Sequence, residues 1–221
     1  MPSASCLSPC GAPAEAKSAH LSRWTGANRI VRVAPVRSSC RERVVIPMRR
    51  VRYAVAASLD GFIAGPQGEA DWIVQDPDID FRELFAQFDS FLIGRLTYEA
   101  MIRGGRATIP GKQVFVFSRT LRPKDHPDVT IVAENAGEVV RKLRQQPGAD
   151  IWLFGGGSLF RSLLESDVVD TIEVGLIPVL LGDGIPLVPG PAQQVGLTLT
   201  GQRVYPKTGI VSVQYAVHGH A

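Results

Sequence analysis

The 221-residue sequence predicts an α/β fold with a mostly parallel central sheet, an antiparallel C-terminal hairpin and helices on both faces. Two observations predict this class. From residue 49 onward, short apolar segments of strand character alternate with segments whose apolar residues recur at helical spacing, which is typical of parallel strands joined by helices. The last two segments follow each other without a helix between them, which is typical of a hairpin.

The first strand and the first helix begin the alternating pattern. Residues 51–57 form an apolar run that ends before the turn at Asp60 and Gly61, so we predict a buried strand there. Pro77 and Asp78 are predicted to begin the first helix. Its apolar positions, which mostly share one helical stripe, are Ile79, Phe81, Leu84, Phe85 and Phe88.

The middle of the chain continues the alternation of strand and helix. Apolar runs that stop at turn residues predict the strands, and a helix is expected wherever helical spacing returns. In chain order these elements are strand 90–93, helix 96–102, strand 113–117, a weaker strand 129–132 and helix 136–145.

The last third of the chain carries the longest strands. Residues 151–154 are a buried strand followed by a helix from Ser158, and residues 171–177 form another strand. Residues 197–204 and 210–217 alternate polar and apolar side chains around a turn that contains Pro206 and Gly209, so they predict the hairpin.

Charge and cysteine content divide the chain at about residue 48. Residues 1–50 carry a net charge of +7, whereas the remaining 171 residues carry a net charge of −4. A mildly acidic domain argues against nucleic acid as a partner. All three cysteines precede residue 48, and we expect no metal site. No apolar run is long enough to cross a bilayer, so no membrane partner is expected.

Residues 1–47 are predicted to be a disordered basic leader, and residues 48–221 a single folded domain. Met48 directly precedes the first strand, so the leader is either a misassigned start or a targeting segment. The sequence near Met1 lacks the apolar stretch of a secretory signal, and we expect a cytoplasmic protein.

Three turns that follow predicted strands are candidate ligand sites, because open α/β sheets bind ligands at the carboxyl ends of their strands. The first contains Gly155, Gly156, Gly157 and Ser158, at the start of a helix. Glycines expose backbone N–H groups and the helix N-terminus favours an anion, so this turn suits a phosphate. The alternative is a tight turn capped by Ser158.

The other two turns contain arginines. Gly94, Arg95 and Thr97 begin a helix, where a cation is unfavourable unless an anion such as a phosphate offsets it. The alternative is a solvated Arg95 beside a threonine cap. Ser118 and Arg119 follow the next strand, and an arginine at such a place accommodates the 2′-phosphate of NADP.

At these residues the chain resembles the dihydrofolate reductase superfamily, most closely the reductase domain of the bifunctional riboflavin-biosynthesis deaminase-reductase. The resemblance covers residues 49–217. Its motifs are Ser58 to Ala64, Gly94 to Glu99, Phe117 to Arg119, the triple glycine, and the run from Val169 and Asp170 through Pro178 to Gly184. The resemblance implies a dihydrofolate reductase-like three-layer fold, an NADPH-dependent reductase and a homodimer.

The resemblance also implies roles for individual residues. Gly156, Gly157 and Ser158 would hold the pyrophosphate, Arg95 and Thr97 would add phosphate contacts, and Ser118 with Arg119 would hold the 2′-phosphate. Asp60 would face the nicotinamide and the substrate. Asp78 and Asp80 lie near the position of a family carboxylate, either as proton-relay groups or as N-terminal helix charges.

The expected reaction is hydride transfer from NADPH to a pyrimidine or pterin-like heterocycle, and the nearest activity is 5-amino-6-(5-phosphoribosylamino)uracil reduction. Phe62 stands where the riboflavin enzyme usually has lysine, so the substrate stays open. Three alternatives remain: dihydrofolate reduction, a nucleotide-binding protein without turnover, and an interaction module carried by the leader.

Overall fold

The computed structural model describes residues 48–191 and 193–218, and the predicted leader lies outside them. The strands of the described part are β1 (Val51–Ser58), β2 (Phe62–Ala64), β3 (Phe88–Gly94), β4 (Gln113–Phe117), β5 (Thr130–Val132), β6 (Asp150–Gly155), β7 (Thr171–Ile177), β8 (Ile185–Pro186), β9 (Leu197–Tyr205) and β10 (Ile210–Val217). Its α-helices are α1 (Phe81–Ala86), α2 (Arg95–Arg103), α3 (Ala136–Arg144) and α4 (Gly157–Glu165).

The central sheet has eight strands in the order β5-β4-β3-β6-β1-β7-β10-β9. Every neighbouring pair from β5 to β7 is parallel, whereas β10 is antiparallel to both β7 and β9. The predicted fold class is therefore confirmed, including the antiparallel hairpin at the C-terminal edge.

Helices cover both faces of this sheet, because side chains of each strand alternate between the faces. On one face, Tyr53 of β1 packs with α3 and α4, and its ring stacks on Phe160 with 3.8 Å between centroids. On the other face, Trp152 of β6 belongs to an aromatic cluster that includes Tyr98 of α2 and contacts α1 through Phe85. The three layers are therefore helices, sheet and helices.

The first helix is shorter than predicted. It begins at Phe81 after Asp80, whose carboxylate caps it by accepting the N–H of Glu83 at 3.0 Å. Residues 76–79 form a turn instead, because the carboxylate and carbonyl of Asp76 accept the N–H groups of Asp78 and Ile79. The prediction that Phe88 belongs to this helix is wrong, since Phe88 is the first residue of β3.

A small second sheet was not predicted. β2 and β8 pair antiparallel beside the central sheet. Strands of three and two residues are too short to show an alternating pattern. Among the described residues, no helix is both long and apolar enough to cross a membrane.

Candidate functional site

The three turns identified from the sequence lie side by side in the structure. β4, β3 and β6 are neighbouring parallel strands, so their carboxyl ends lie at one edge of the sheet. The turns line one cleft of about 2390 Å³, which continues over the face of the sheet that carries α1 and α2. All nine predicted cofactor-binding residues line this cleft: Gly94, Arg95, Thr97, Ser118, Arg119, Gly155, Gly156, Gly157 and Ser158.

Two helices begin at this edge with free N-termini. The N-cap residues are Gly94 for α2 and Gly156 for α4, and neither supplies a side-chain hydrogen bond to its helix. The N-caps are adjacent, since a Cβ built on Gly156 would lie 3.6 Å from the Cα of Gly94. Neither first turn contains an acidic residue. Two sets of backbone N–H groups and two helix dipoles therefore favour an anion in the cleft.

The capping alternatives drawn from the sequence are wrong. Ser158 and Thr97 lie inside α4 and α2, one or more positions after the first helical residue, so neither is an N-cap. Among the described residues, the Ser158 hydroxyl has no hydrogen-bond partner, and this side chain is exposed to the cleft. It is available to a ligand.

Packing accounts for the glycines of the α4 turn. A Cβ on Gly157 would lie 2.6 Å from the carbonyl oxygen of Pro186 in β8, and a Cβ on Gly155 would lie 3.2 Å from Cγ2 of Thr97. Gly156 has a φ of +99°, which L side chains rarely adopt. The glycines therefore let β8, α2 and α4 approach closely, and the anion preference of the turn comes from its uncapped helix rather than from the glycine count.

Arg95 has a partner within its own helix. Its Nη1 donates to both carboxylate oxygens of Glu99, at 2.8 and 3.0 Å. Glu99 therefore offsets the cation at the helix N-terminus, a role that the sequence interpretation gave to a phosphate. Such a partly exposed i,i+4 pair is worth only about 0.3–0.5 kcal/mol, so it does not prevent Arg95 from contacting a phosphate.

Ser118 and Arg119 differ in what they can offer a ligand. The buried hydroxyl of Ser118 accepts the N–H groups of Thr120 and Leu121, at 3.2 and 3.0 Å, so it shapes the turn. Arg119 is exposed and lines the cleft, and its guanidinium has no hydrogen bond or ion pair with any residue that the structure describes. Arg119 is thus the group of this turn that is available to a phosphate, with Thr120 beside it.

Asp60 holds a loop. Its carboxylate accepts the hydroxyl of Ser58 at 2.6 Å and the N–H groups of Leu181 and Gly182 at 3.1 and 2.8 Å. These hydrogen bonds, led by that from Ser58, lower the pKa of Asp60 below its usual range. Asp60 is absent from the residues that line the cleft, so its proposed contact with substrate remains a prediction.

Asp78 lines the cleft and is half exposed. Its carboxylate pairs with the ammonium group of Lys207 at 2.8 Å, in the turn between β9 and β10. For Asp80 the sequence left two alternatives, a proton-relay group or a charge at a helix N-terminus. Asp80 is the N-cap of α1, which matches the second alternative. The catalytic role of Asp78 remains a prediction.

Sequence reasoning missed the part of the cleft that lies over β1, β7 and β10. This area contains Ala56, Gly175 and Ser212, with Glu173 at its border. These residues come together only through the register of β1, β7 and β10, and a single sequence does not show strand register. One signal was visible, since Glu173 interrupts an otherwise apolar strand.

Comparison with known proteins identifies the family of this chain. The family model described as the RibD C-terminal domain matches residues 49–211. The uncharacterized protein YyaP of Bacillus subtilis (strain 168) is 32% identical over 189 residues, which are 79% of this chain and 98% of YyaP.

Two solved structures share the fold. One is the diaminohydroxyphosphoribosylaminopyrimidine deaminase/5-amino-6-(5-phosphoribosylamino)uracil reductase of Thermotoga maritima, with a TM-score of 0.60 and 14% identity, covering 77% of this chain and 57% of that one. The other is the dihydrofolate reductase of Enterococcus faecalis complexed with NADP(H), with a TM-score of 0.58 and 18% identity, covering 76% of this chain and 96% of that one.

The family model and the similarity to YyaP carry the family assignment, and the solved structures agree with the fold. The family model matches well over half of the sequence and spans β1 to the start of β10. The chain belongs to the RibD C-terminal domain family.

Proposed function

We propose that the chain is an NADPH-dependent reductase that transfers a hydride to a pyrimidine or pterin-like heterocycle, with 5-amino-6-(5-phosphoribosylamino)uracil reduction as the nearest activity. Membership of the RibD C-terminal family supports a reductase. Similarity to a dihydrofolate reductase solved with NADP(H) supports a nicotinamide cofactor. The homodimer implied by the resemblance stays a prediction.

One observation carries the cofactor assignment. The uncapped N-termini of α2 and α4 lie next to each other in the cleft. Arg119, which pairs with none of the described residues, follows the neighbouring strand β4. A pyrophosphate needs several N–H donors at one place, and an adenosine 2′-phosphate needs a separate cation. The described residues therefore fit NADPH at both phosphate positions.

The chain's own residues bind and orient the reactants. When bound, NADPH supplies the hydride. The first-turn amides of α2 and α4, with Arg119, would hold its phosphates at the edge of the sheet. Apolar cleft residues such as Ile63 and Phe154 would exclude water from the reacting atoms. Of the two catalytic candidates, Asp60 and Asp78, Asp78 lines the cleft, so we assign the proton transfer to Asp78.

The experiment that tests this proposal is steady-state oxidation of NADPH by the full chain. We expect oxidation that requires 5-amino-6-(5-phosphoribosylamino)uracil or a related heterocycle and that is faster with NADPH than with NADH. The absorbance of reduced nicotinamide reports both rates.

Two of the alternative functions, dihydrofolate reduction and nucleotide binding without turnover, predict other results. Oxidation supported by dihydrofolate and inhibited by methotrexate would show dihydrofolate reduction. NADPH binding with no oxidation by any heterocycle would show a nucleotide-binding protein without turnover. The first result would contradict 5-amino-6-(5-phosphoribosylamino)uracil reduction as the nearest activity, and the second would contradict the proposed reaction.

A further inference from the structure

The cleft extends from the helix N-termini over a flat area of three central strands. Ala56 of β1 pairs with Gly175 of β7, which pairs in turn with Ser212 of β10, and all three residues line the cleft. A Cβ built on Gly175 meets nothing within 4 Å, and its φ lies outside the left-handed region. The space above Gly175 is therefore open, although the backbone there would accept any residue.

Glu173 borders this area, two residues earlier on β7. Its side chain is 16% exposed and lines the cleft. Oε1 accepts from Nε of Arg52 at 2.6 Å and from the side chains of Thr171 and Gln214 at 3.3 and 3.5 Å. Oε2 accepts only from Nη2 of Arg52, at 2.9 Å, among the described residues. Since a carboxylate oxygen accepts about two hydrogen bonds, Oε2 has room for one more.

Arg52 fixes the position of Glu173. The guanidinium is buried, binds Glu173 through two nitrogens, and also donates to Gln87 at 2.7 Å and Asp150 at 3.3 Å. Because Glu173 is already neutralised by this pair, a second cation is not required. An uncharged N–H donor suits Oε2, and its hydrogen bond to an ionised acceptor is stronger than one between neutral groups.

We propose that Glu173 and Gly175 determine substrate specificity. The planar ring of the substrate lies over Gly175, and an uncharged N–H group at the ring edge, of the kind that a lactam carries, donates to Oε2 of Glu173. This inference rests on the proposed function and names the ring chemistry that the same cleft selects.

The test compares uracil with 1,3-dimethyluracil, which has the same ring without an N–H group. Binding of each to the full chain with saturating NADPH is followed by ligand-detected NMR. We expect uracil to bind at least tenfold more tightly than the dimethyl compound.

Two variants separate the effect of the hydrogen bond to Glu173 from the effect of the open space above Gly175. Glu173→Met removes the acceptor at nearly constant size, so the preference for uracil disappears. Gly175→Leu fills the open space, so both probes lose binding at least tenfold while NADPH still binds. Glu165→Met is the matched control, because Glu165 is also paired with an arginine, Arg161, but lies outside the cleft. Thermal unfolding checks that each variant is folded, and Gly175→Leu still tests the proposal if Glu173→Met is not.

Four results would overturn the inference: absence of uracil binding, equal binding of the two probes to the unmodified protein, a preference for uracil that persists in folded Glu173→Met, or unchanged binding of uracil in Gly175→Leu. Failure of the proposed function is distinguishable, because it shows as absence of NADPH binding or as absence of NADPH oxidation by any heterocycle. If NADPH does not bind, the binding of uracil and of 1,3-dimethyluracil can still be compared without the cofactor.

Discussion

At the residue scale, the core contains a tyrosine hydroxyl that has no hydrogen-bond partner among the residues that the structure describes. Tyr53 is fully buried, and its hydroxyl makes no hydrogen bond with the part of the chain that the structure describes. Burial raises the pKa of Tyr53, so the hydroxyl stays protonated. Leaving a buried donor unsatisfied costs about 1–3 kcal/mol.

We therefore predict that Tyr53→Phe stabilises the protein. The ring keeps its stack on Phe160, and the free energy of unfolding should rise by about 1 kcal/mol. Urea unfolding measures the change. Tyr98→Phe is the matched control: Tyr98 is also buried, but its hydroxyl lies 3.3 Å from Nδ1 of His126, so this variant should lose stability. A Tyr53→Phe protein less stable than the original would contradict the account.

Single residues also show how far sequence reasoning reached at the site. All nine cofactor candidates line the cleft, because each lies at the carboxyl end of a strand or in the few residues that follow it. Sequence reasoning could not see that Glu99 pairs with Arg95, that the Ser118 hydroxyl is used within its turn, or that Pro186 packs on Gly157. Each of these contacts depends on side-chain direction or on a segment distant in the sequence.

At the scale of elements, one carboxylate joins the segment before α1 to the β9–β10 hairpin. Asp76 accepts the hydroxyl of Thr208 at 2.7 Å and the N–H of Asp78 at 2.9 Å. The hydrogen bond from Thr208, more than any other contact, lowers the pKa of Asp76 below its usual range.

This contact predicts a pH-dependent stability. Because the folded pKa of Asp76 lies below its unfolded value of about 4, its stabilisation is present above that value and is lost as the pH falls through the folded pKa. Thr208→Val should lower the urea midpoint at pH values near neutrality and have a smaller effect in acid. Thr130→Val is the control, since Thr130 is exposed and its hydroxyl makes no hydrogen bond with the described residues. Equal effects of Thr208→Val at both pH values would refute this role.

The elements themselves were predictable where patterns are local. The eight predicted strands and the helices α2 and α3 match the structure within about three residues, because burial imposes periods of 2 and 3.6 on their sequences. The predicted first helix is longer than α1 at both ends. Asp76 forms a turn before α1, and Phe88, which continues the apolar stripe, belongs to the following strand. Among the described strands, β2 and β8 pair only with each other. They are far apart in the sequence, so a local pattern does not predict their pairing.

At the scale of the whole molecule, the topology explains where the site lies. β3, β4 and β6 are parallel neighbours although β6 is distant from β3 in the sequence, so three separate turns line one cleft. The sequence alone identified the turns but not the strand order. The resemblance implied the three-layer fold, and the structure supplies the strand order.

The central claim is that the edge of this sheet binds NADPH through the helix N-termini and Arg119. The most direct test is a calorimetric titration of the full chain with NADPH and with NADH, repeated for Arg119→Ala. Arg122→Ala is the matched control, because Arg122 is an exposed arginine three residues away that does not line the cleft.

We predict that NADPH binds at least tenfold more tightly than NADH, a difference of about 1.4 kcal/mol or more. Arg119→Ala should abolish this preference by weakening NADPH alone, and Arg122→Ala should preserve it. Equal affinity for the two cofactors, or no binding of either by the folded protein, would contradict the account.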